Sequence, residues 1–175
     1  MSYNMIEHYK DGTPCECDEM QRLYYEFGVL RQESPCINGV KNGEERYYYY
    51  ESGQLWSKIP YVNGKKHGIQ KHYYASGVLL SETSYVNGKQ HGAQKGYYES
   101  GALEWETPYT NDERHGVDKD YYGSGKLQKE TPYKNGVKHG TQKEYYESGS
   151  LEWELHYVNG EEHGVGRRHY DERKL

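Results

Sequence analysis

Five histidines at one spacing are the first residues of this chain whose side chains could do chemistry. A His-Gly pair recurs every 24 residues, as His67-Gly68, His91-Gly92, His115-Gly116, His139-Gly140 and His163-Gly164. Imidazoles bind metal ions, but hairpin units in a sheet lie about 9.6 Å apart, whereas imidazoles on one zinc each lie about 2.0 to 2.1 Å from it. We therefore predict no metal site. We interpret these ten residues as structural parts of a repeat, with each histidine hydrogen-bonded within its own turn.

Five serines also recur, each within a Tyr-Tyr-x-Ser-Gly phrase, and serine can act as a nucleophile. They are Ser52, Ser76, Ser100, Ser124 and Ser148. A nucleophile needs one special setting with a base and an oxyanion hole, whereas these serines occupy equivalent turns. The G-x-G-x-x-G, P-loop and H-E-x-x-H motifs do not occur either. The sequence therefore predicts no catalytic residue, no enzymatic activity, no cofactor and no small-molecule substrate.

The same repetition defines the elements that must position these side chains. Each unit contains two short segments rich in aromatic and β-branched residues, such as GQLWSKIPY and GIQKHYY, and both are typical of strands. The phrase NGKKHG predicts a longer loop within a unit. ASG or ESG predicts a tight turn between units, with positive φ at Gly77 and Gly101. We therefore predict an all-β fold, an elongated single-layer antiparallel sheet of tandem β-hairpins with a period of 24.

The repeats divide the chain into three parts. Residues 24–170 carry the hairpin units, residues 1–23 are predicted to form a degenerate N-terminal cap, and residues 171–175 form a charged C-terminal tail. Cys15, Cys17 and Cys36 are an odd number clustered near the N-terminus, which is unlike a disulfide framework. Without a second cysteine pair they do not favour a metal site either.

An even period returns every side chain to the same face of a sheet, so a register can be predicted. If Val62 pairs with His67, the facing pairs on one side are Tyr61–Gly68 and Leu55–Tyr74, then Tyr85–Gly92 and Leu79–Tyr98 one unit on. The other face pairs Glu82–Lys95, Glu106–Lys119, Glu130–Lys143 and Glu154–Arg167, with Lys58 opposite Lys71 in the first unit. That second face also carries Pro60, Pro108, Pro132 and the first tyrosine of each Tyr-Tyr pair.

Charge and hydropathy disfavour two classes of partner. The net charge is −5, the isoelectric point is near 6.0, and acidic and basic residues are mixed throughout, so nucleic acid and anionic membranes are not attracted in general. No run approaches 18 apolar residues, and the first residues lack the apolar core of a secretory signal. We therefore expect a cytoplasmic location.

The tyrosines supply the interaction surface that we predict. The chain has 22 Tyr and 1 Phe, and a single sheet cannot bury both of its faces. An exposed aromatic stripe typically marks a protein-binding surface. The residues predicted to bind a partner are Tyr61, Tyr74, Tyr85, Tyr98, Trp105, Tyr109, Tyr122, Tyr133, Tyr146 and Trp153. Self-association through the same face is the main alternative.

The phrase N-G-x-x-H-G, followed by x-x-K-x-Y-Y-x-S-G and x-L, resembles the MORN repeat, in the variant found in bacterial proteins similar to the YwqK-family antitoxins. The resemblance covers about Tyr24 to Tyr170 and departs at Cys36, Asn42 and His156. It implies an elongated sheet of hairpins that acts as a protein-interaction scaffold without catalytic residues. It further implies an antitoxin or immunity-type protein that neutralises a partner such as a toxin. A lipid-surface module, a nucleic-acid-binding module and a homo-oligomeric structural protein stay open as alternatives.

Overall fold

A computed structural model describes residues 20–171 of the chain. Its strands are β1 Met20–Tyr24, β2 Leu30–Ile37, β3 Val40–Lys41, β4 Gly43–Tyr48, β5 Leu55–Val62, β6 Lys65–Lys66, β7 Gly68–Tyr73, β8 Leu79–Val86, β9 Lys89–Tyr97, β10 Leu103–Thr110, β11 Glu113–Arg114, β12 Gly116–Tyr121, β13 Leu127–Lys134, β14 Val137–Lys138, β15 Gly140–Tyr145, β16 Leu151–Val158, β17 Glu161–Glu162 and β18 Arg167–Arg168. A 3₁₀ helix spans Glu26–Gly28. Residues 1–19, which contain most of the predicted cap, and residues 172–175 of the predicted tail lie outside this description.

The strands form one open antiparallel sheet in which each hairpin pairs with the next along the chain. Strands β5 and β7 pair within one unit, β7 pairs with β8 of the following unit, and the pattern continues to β16 and β18. The first and last of these strands are not paired with each other within residues 20–171. This topology confirms the prediction of an all-β sheet of tandem hairpins.

The connection within a unit is a two-residue turn, so the predicted longer loop is wrong. Asn63 and Gly64 both have positive φ, 48° and 76°, and Val62 pairs directly with Lys65. Asn-Gly favours this turn because both of its central residues take positive φ and its twist matches that of the flanking strands. Lys65 and Lys66 are therefore strand residues.

A bulge at the His-Gly pair sets the register of the rest of the hairpin. Tyr61 lies opposite Lys66, but Lys58 lies opposite Lys71, so residues 67–70 face only residues 59 and 60. Gly68 supports the bulge with a φ of 105°. Such an irregularity bends a strand and interrupts its hydrogen-bond ladder.

The predicted register is right beyond this bulge and wrong before it. The facing pairs Glu82–Lys95, Glu106–Lys119, Glu130–Lys143, Glu154–Arg167 and Lys58–Lys71 are all present. The pairs Tyr61–Gly68 and Tyr85–Gly92 are not formed, because Tyr61 lies opposite Lys66 and Tyr85 opposite Gln90 within their own hairpins. Leu55–Tyr74 and Leu79–Tyr98 are not ladder pairs, because the pairing within these hairpins ends at Ser57–His72 and Ser81–Gly96.

The prolines of the units lie at the same bulge. The carbonyl of Pro60 accepts a hydrogen bond from the His67 N–H at 3.0 Å, and a Cβ on Gly68 would lie 3.2 Å from Pro60 Cγ. The N–H and C=O of a residue in an antiparallel strand point to the same neighbouring strand. The N–H that Pro60 lacks would therefore point to the strand whose hydrogen-bond ladder the bulge already interrupts. Proline therefore leaves no hydrogen bond unmade there.

The turns between units have the predicted glycine geometry. Gly77 has a φ of 84° and Gly101 a φ of 86°. The Tyr74 N–H donates to the Val78 carbonyl at 2.8 Å, which closes a three-residue loop. A type I turn followed by a glycine at positive φ is a common solution for a loop of this length. Each turn therefore delivers the chain to the next hairpin in the same orientation.

The two faces of the sheet differ in burial. We call the face that carries Ser57, Ile59 and Tyr61 the core face, and the face that carries Lys58, Pro60 and Val62 the charged face. Most buried residues form one row along the core face, which consists of Ser34, Glu45, Ile59, Gln70, Thr83, Thr107, Thr131, Gln142 and Leu155, and Cys36, Ser57 and Tyr157 are buried beside this row. No second layer covers this row within residues 20–171, so the flanking side chains of the same face bury it.

Candidate interaction surfaces

Tyrosines along one edge of the core face are covered by cations of the preceding unit. The cation–ring pairs are Lys41 over Tyr61 at 5.2 Å, Lys66 over Tyr85 at 4.9 Å, Arg114 over Tyr133 at 5.2 Å and Lys138 over Tyr157 at 4.6 Å from the ring centroid. A cation over an aromatic ring is attracted by the negative face of the ring. These contacts tie each unit to the next. They also occupy ring surface that a partner would otherwise contact.

The same cations reach the buried polar row. Lys66 Nζ donates to Gln70 Oε1 at 2.8 Å, and Lys138 Nζ donates to Gln142 Oε1 at 3.0 Å. Burial lowers the pKa of Lys66, since desolvation disfavours its charged form. In the first complete unit a carboxylate replaces the amide, and the Lys41 ammonium lies 2.7 Å from Glu45 Oε1. The row is therefore held by hydrogen bonds more than by apolar packing.

Glu45 is the most deeply placed charged group of the described chain, at 1% exposure. Its Oε1 accepts hydrogen bonds from Gln32 Nε2, Ser34 Oγ and Lys41 Nζ, at 2.9, 2.7 and 2.7 Å. Its Oε2 has no hydrogen-bond partner within the described residues. A buried carboxylate is tolerated when it is paired and hydrogen-bonded, which the three donors achieve.

Four of the ten predicted partner-binding residues connect successive units through their hydroxyl groups. Tyr74, Tyr98, Tyr122 and Tyr146 donate to the backbone carbonyls of Tyr97, Tyr121, Tyr145 and His169, at 2.7 to 3.0 Å. Tyr49 makes the same bond to Tyr73 at 2.7 Å. We call this bond the tyrosine latch. It fixes the turn of one unit against the last strand residue of the next hairpin.

Two tryptophans cover glycines on the core face. The Trp105 indole lies against Gly96, where a Cβ would overlap with the ring, and a Cβ on Gly166 would lie 3.1 Å from Trp153 Nε1. An aromatic ring over a strand glycine shields exposed backbone. The third indole, Trp56, is more exposed and packs edge-on against Tyr47, at 5.8 Å between ring centroids. All ten predicted partner-binding aromatics are half-buried, and binding through them stays a prediction.

The five repeat histidines lie on exposed backbone near the Asn-Gly turns. The prediction that each ring bonds its own turn is wrong for the rings whose bonds the structure shows. His67 Nδ1 accepts from the Asn87 N–H at 3.4 Å, and His139 Nδ1 accepts from the Asn159 N–H at 3.5 Å, both in the following unit. His115 Nδ1 similarly lies 3.3 Å from Asn135 Oδ1. Among residues 20–171 no cluster of three or more His, Cys, Asp or Glu could hold a metal ion.

Cys36 corrects the cysteine prediction. It is buried and disulfide-bonded, whereas its sequence context is unlike a disulfide framework. The other two cysteines of the chain, Cys15 and Cys17, lie outside the described residues. The odd number of cysteines does not exclude a disulfide, because three cysteines can form a single bridge and leave one over.

A shallow pocket of about 310 Å³ collects titratable groups in the C-terminal half. Its lining consists of Asp120, Tyr122, Gln128, Lys129, Glu144, Tyr145 and Glu152. Burial, and then the neighbouring Asp118, raises the pKa of Asp120. Lys129 Nζ lies 3.2 Å from Glu144 Oε1. These groups mainly pair with one another, and the geometry supports ion pairing more than a defined reaction.

The charged face carries a repeated hydrogen bond in addition to its Glu–Lys pairs. The hydroxyls of Tyr48, Tyr97 and Tyr145 donate to Glu33, Glu82 and Glu130, at 2.8, 2.9 and 2.7 Å. Burial, followed by this hydrogen bond, raises the pKa of Tyr97 and Tyr145 to about 12. The acceptor is in each case the glutamate fifteen residues earlier.

Sequence reasoning missed a group of exposed apolar residues on the charged face. Ile37, Val40, Val62, Ile69 and Val86 are each between 43% and 53% exposed. They lie at the end of the sheet that carries the Asn-Gly turns. Val62 lies two residues after Pro60, so the alternation of a strand places both on this face. The sequence does not indicate how exposed the side chains are at that end of the sheet.

The sequence was compared with known protein families and with curated proteins. The sequence profile of the family described as MORN repeat variant matches residues 41–63, 66–87, 90–111, 114–135 and 138–159. No curated protein matches the chain. The described residues also include no helix that is long and apolar enough to cross a membrane.

Proposed function

Because this chain belongs to the MORN repeat variant family, we propose that it is a non-enzymatic scaffold that binds a protein partner through its core face. Repeat arrays of this kind present extended surfaces on which neighbouring units act together. The observation that carries the proposal is the repetition of half-exposed aromatic rings along one face of an open sheet, from Tyr61 to Trp153. Aromatic side chains are enriched at the centres of protein interfaces.

The internal contacts of these rings suggest how a partner would bind. The cations over Tyr85 and Tyr133 cover one side of each ring, and the latch uses the hydroxyl of Tyr98. The remaining ring area is already ordered, so a partner pays little additional conformational entropy when it binds. A preorganised surface of this kind suits a partner that docks without a large rearrangement.

We further propose that the partner is a toxin-type protein that this chain neutralises, which rests on the resemblance to bacterial antitoxins. The proposal includes a cytoplasmic location. The disulfide of Cys36 opposes that location, since disulfides persist mainly in oxidising compartments. Cell fractionation with an antibody against the native chain tests it, and a chain found only outside the cytoplasm would exclude it.

The binding test is an affinity purification from native lysate, with light scattering of the purified protein alongside. The variant is Trp105→Ala combined with Trp153→Ala, and its circular dichroism checks that the sheet is retained. We expect a stoichiometric partner that the double variant loses. Recovery of the same partner by the folded double variant would exclude the core face.

A second variant covers the case in which the double tryptophan variant does not fold. Tyr109→Lys adds a charge to the aromatic row at a ring that is half-buried. It should weaken partner binding, and its circular dichroism checks that the sheet is retained. Loss of a homodimer in place of a partner would favour self-association through this face. Flotation with anionic liposomes at low salt would instead favour the lipid-surface alternative.

A further inference from the structure

One position on the charged face breaks the repeated charge pattern. Five facing pairs within the hairpins join an acid to a base at this position, but Lys58 lies directly opposite Lys71. Like charges at facing positions destabilise a sheet. Lys71 finds a partner in Glu82 at 3.8 Å, and Lys58 lies 3.4 Å from Glu44. Both contacts are partly exposed, so they offset little of the mismatch.

The same lysine also removes the acceptor of a hydrogen bond that three other units make, although Tyr121 makes no such bond to Glu106 within the described residues. Tyr48, Tyr97 and Tyr145 each donate to the glutamate fifteen residues earlier. The residue fifteen positions before Tyr73 is Lys58, which cannot accept. No hydrogen bond to the Tyr73 hydroxyl occurs within residues 20–171. A residue that breaks a local rule twice without a compensating gain is expected to serve a function outside the fold.

Exposed apolar residues lie next to this break. Lys58, Pro60 and Val62 follow one another along the charged face of β5, and Ile69 and Val86 lie on the neighbouring strands. The patch also includes Ile37 and Val40 of the preceding hairpin. The corresponding turn positions of the fourth hairpin, Thr110 and Glu113, are polar. Val117 and Val137 of the C-terminal half are also exposed on this face, at 38% and 43%, but the five residues of the patch lie together beside Lys58.

The rim of this patch is positive although the chain as a whole is acidic. Lys65 and Lys89 lie at the turns, facing Val62 and Val86, and neither makes an ion pair within the described range. Lys58, Lys71 and Arg46 line the other side, where they lie 3.0 to 3.8 Å from Glu33, Glu44 and Glu82, so the unpaired positive charge is at the turns. At the equivalent turn positions of the C-terminal half the structure has Glu113, Val137 and Glu161, none of which is positive. Opposite charge at a rim attracts a partner and fixes its orientation.

We propose that the patch formed by Ile37, Val40, Val62, Ile69 and Val86, with its lysine rim, docks an acidic amphipathic segment of a partner protein. This surface lies on the opposite face from the aromatic row and does not rest on it. The patch crosses the strands from β2 to β8, about 19 Å at 4.8 Å per strand, which about 13 helical residues would span. The apolar side chains of the segment contact the valines and isoleucines, and its carboxylates contact Lys58, Lys65 and Lys89.

The test is fluorescence anisotropy with a labelled peptide of about 14 residues, composed of leucine and glutamate at helical spacing. A peptide of the same pattern with lysine in place of glutamate is the control probe. We expect the acidic peptide to bind and the basic peptide not to bind. Lys58→Glu should weaken binding by about tenfold, and Val62→Ser combined with Val86→Ser should do the same.

Lys119→Glu is the matched control, because it makes the same change of charge on the same face in the C-terminal half. It should leave the affinity for the acidic peptide within about twofold of the wild-type value. Equal weakening by Lys58→Glu and Lys119→Glu would show attraction by net charge alone and would overturn the proposal. Binding of both peptides, or of neither, would also overturn it.

Two further readouts separate this proposal from the proposed function. The Trp105→Ala and Trp153→Ala variant should bind the acidic peptide as the wild type does, so the core face can fail its test independently. Lys58→Glu should also raise the denaturation midpoint, since it restores the pair with Lys71 and an acceptor for Tyr73. A lower midpoint would remove the premise that Lys58 weakens the fold.

Discussion

The two faces of the sheet use their side chains differently. On the core face, aromatic rings cover glycines and lie under cations, and tyrosine hydroxyls bond the next unit, so most polar tips and ring surfaces are already engaged. On the charged face near the Asn-Gly turns, Val62, Ile69 and Val86 are exposed and Lys65 and Lys89 carry no ion pair within residues 20–171. In a thin sheet, a conspicuous residue type can therefore serve mainly the fold. Side chains that the fold does not use, such as these, form a second candidate surface in addition to the preordered rings of the core face.

The largest expected effect is on the core face. Trp105→Ala should lower the free energy of unfolding by about 3 kcal/mol, because it removes a half-buried indole and uncovers Gly96. Trp56→Ala, which removes a more exposed indole, should cost about 1 kcal/mol. Urea denaturation followed by circular dichroism measures both variants. Equal losses would mean that burial on the core face does not distinguish the two tryptophans.

The tyrosine latch should have the next largest effect. Tyr98→Phe removes the hydroxyl that donates to the Tyr121 carbonyl at 2.7 Å and should cost about 1 kcal/mol of stability. Tyr73→Phe is the control, since the Tyr73 hydroxyl has no hydrogen bond within the described residues, and it should be close to neutral. Denaturation midpoints compare the two. If Tyr98→Phe left the denaturation midpoint unchanged, the tyrosine latch would not contribute to stability.

An exchange of charges should have a smaller effect, with opposite signs in the two halves of the charged face. Lys58→Glu should stabilise the protein, and Glu106→Lys should destabilise it, each by about 0.5 kcal/mol. Both changes concern equivalent positions of two hairpins that lie two units apart, opposite Lys71 and Lys119. Thermal unfolding at low and high salt measures them, and the differences should shrink as salt rises. If both variants changed the stability in the same direction, the facing charge pairs would not be the cause of the change.

The smallest effect at neutral pH concerns the tyrosine–glutamate bonds of the charged face. The folded-state pKa of Tyr97 is raised from 10.0 to about 12, mainly by burial and then by its bond to Glu82. Between these values the unfolded chain loses the proton first, so this stabilisation is complete below pH 10.0 and is lost as the pH rises through about 12. Tyr97→Phe should flatten the fall in stability over that range. An unchanged alkaline profile in urea titrations would contradict this assignment.

The repeat period predicted the hairpins and the charge ladder, because an even period fixes the face of each residue whatever the turns do. It could not show the bulge at His67 and Gly68, since glycine at positive φ fits a loop as well as a bulge. The Asn63-Gly64 dipeptide was a usable signal for the two-residue turn. The engagement of Tyr98 and the exposure of Val62 depend on neighbours two strands away, and hairpin pairing alone does not specify them.

The tyrosine latch also affects how the chain folds and unfolds. Each latch joins residues 23 or 24 positions apart, and the contacts of a unit are made almost entirely with the units on either side. Such an array behaves as a one-dimensional chain of coupled elements, in which order spreads from one nucleus to its neighbours. Pulling the ends apart should therefore release hairpins one after another from an edge. Removal of one whole internal unit should shorten the array and leave each remaining junction intact.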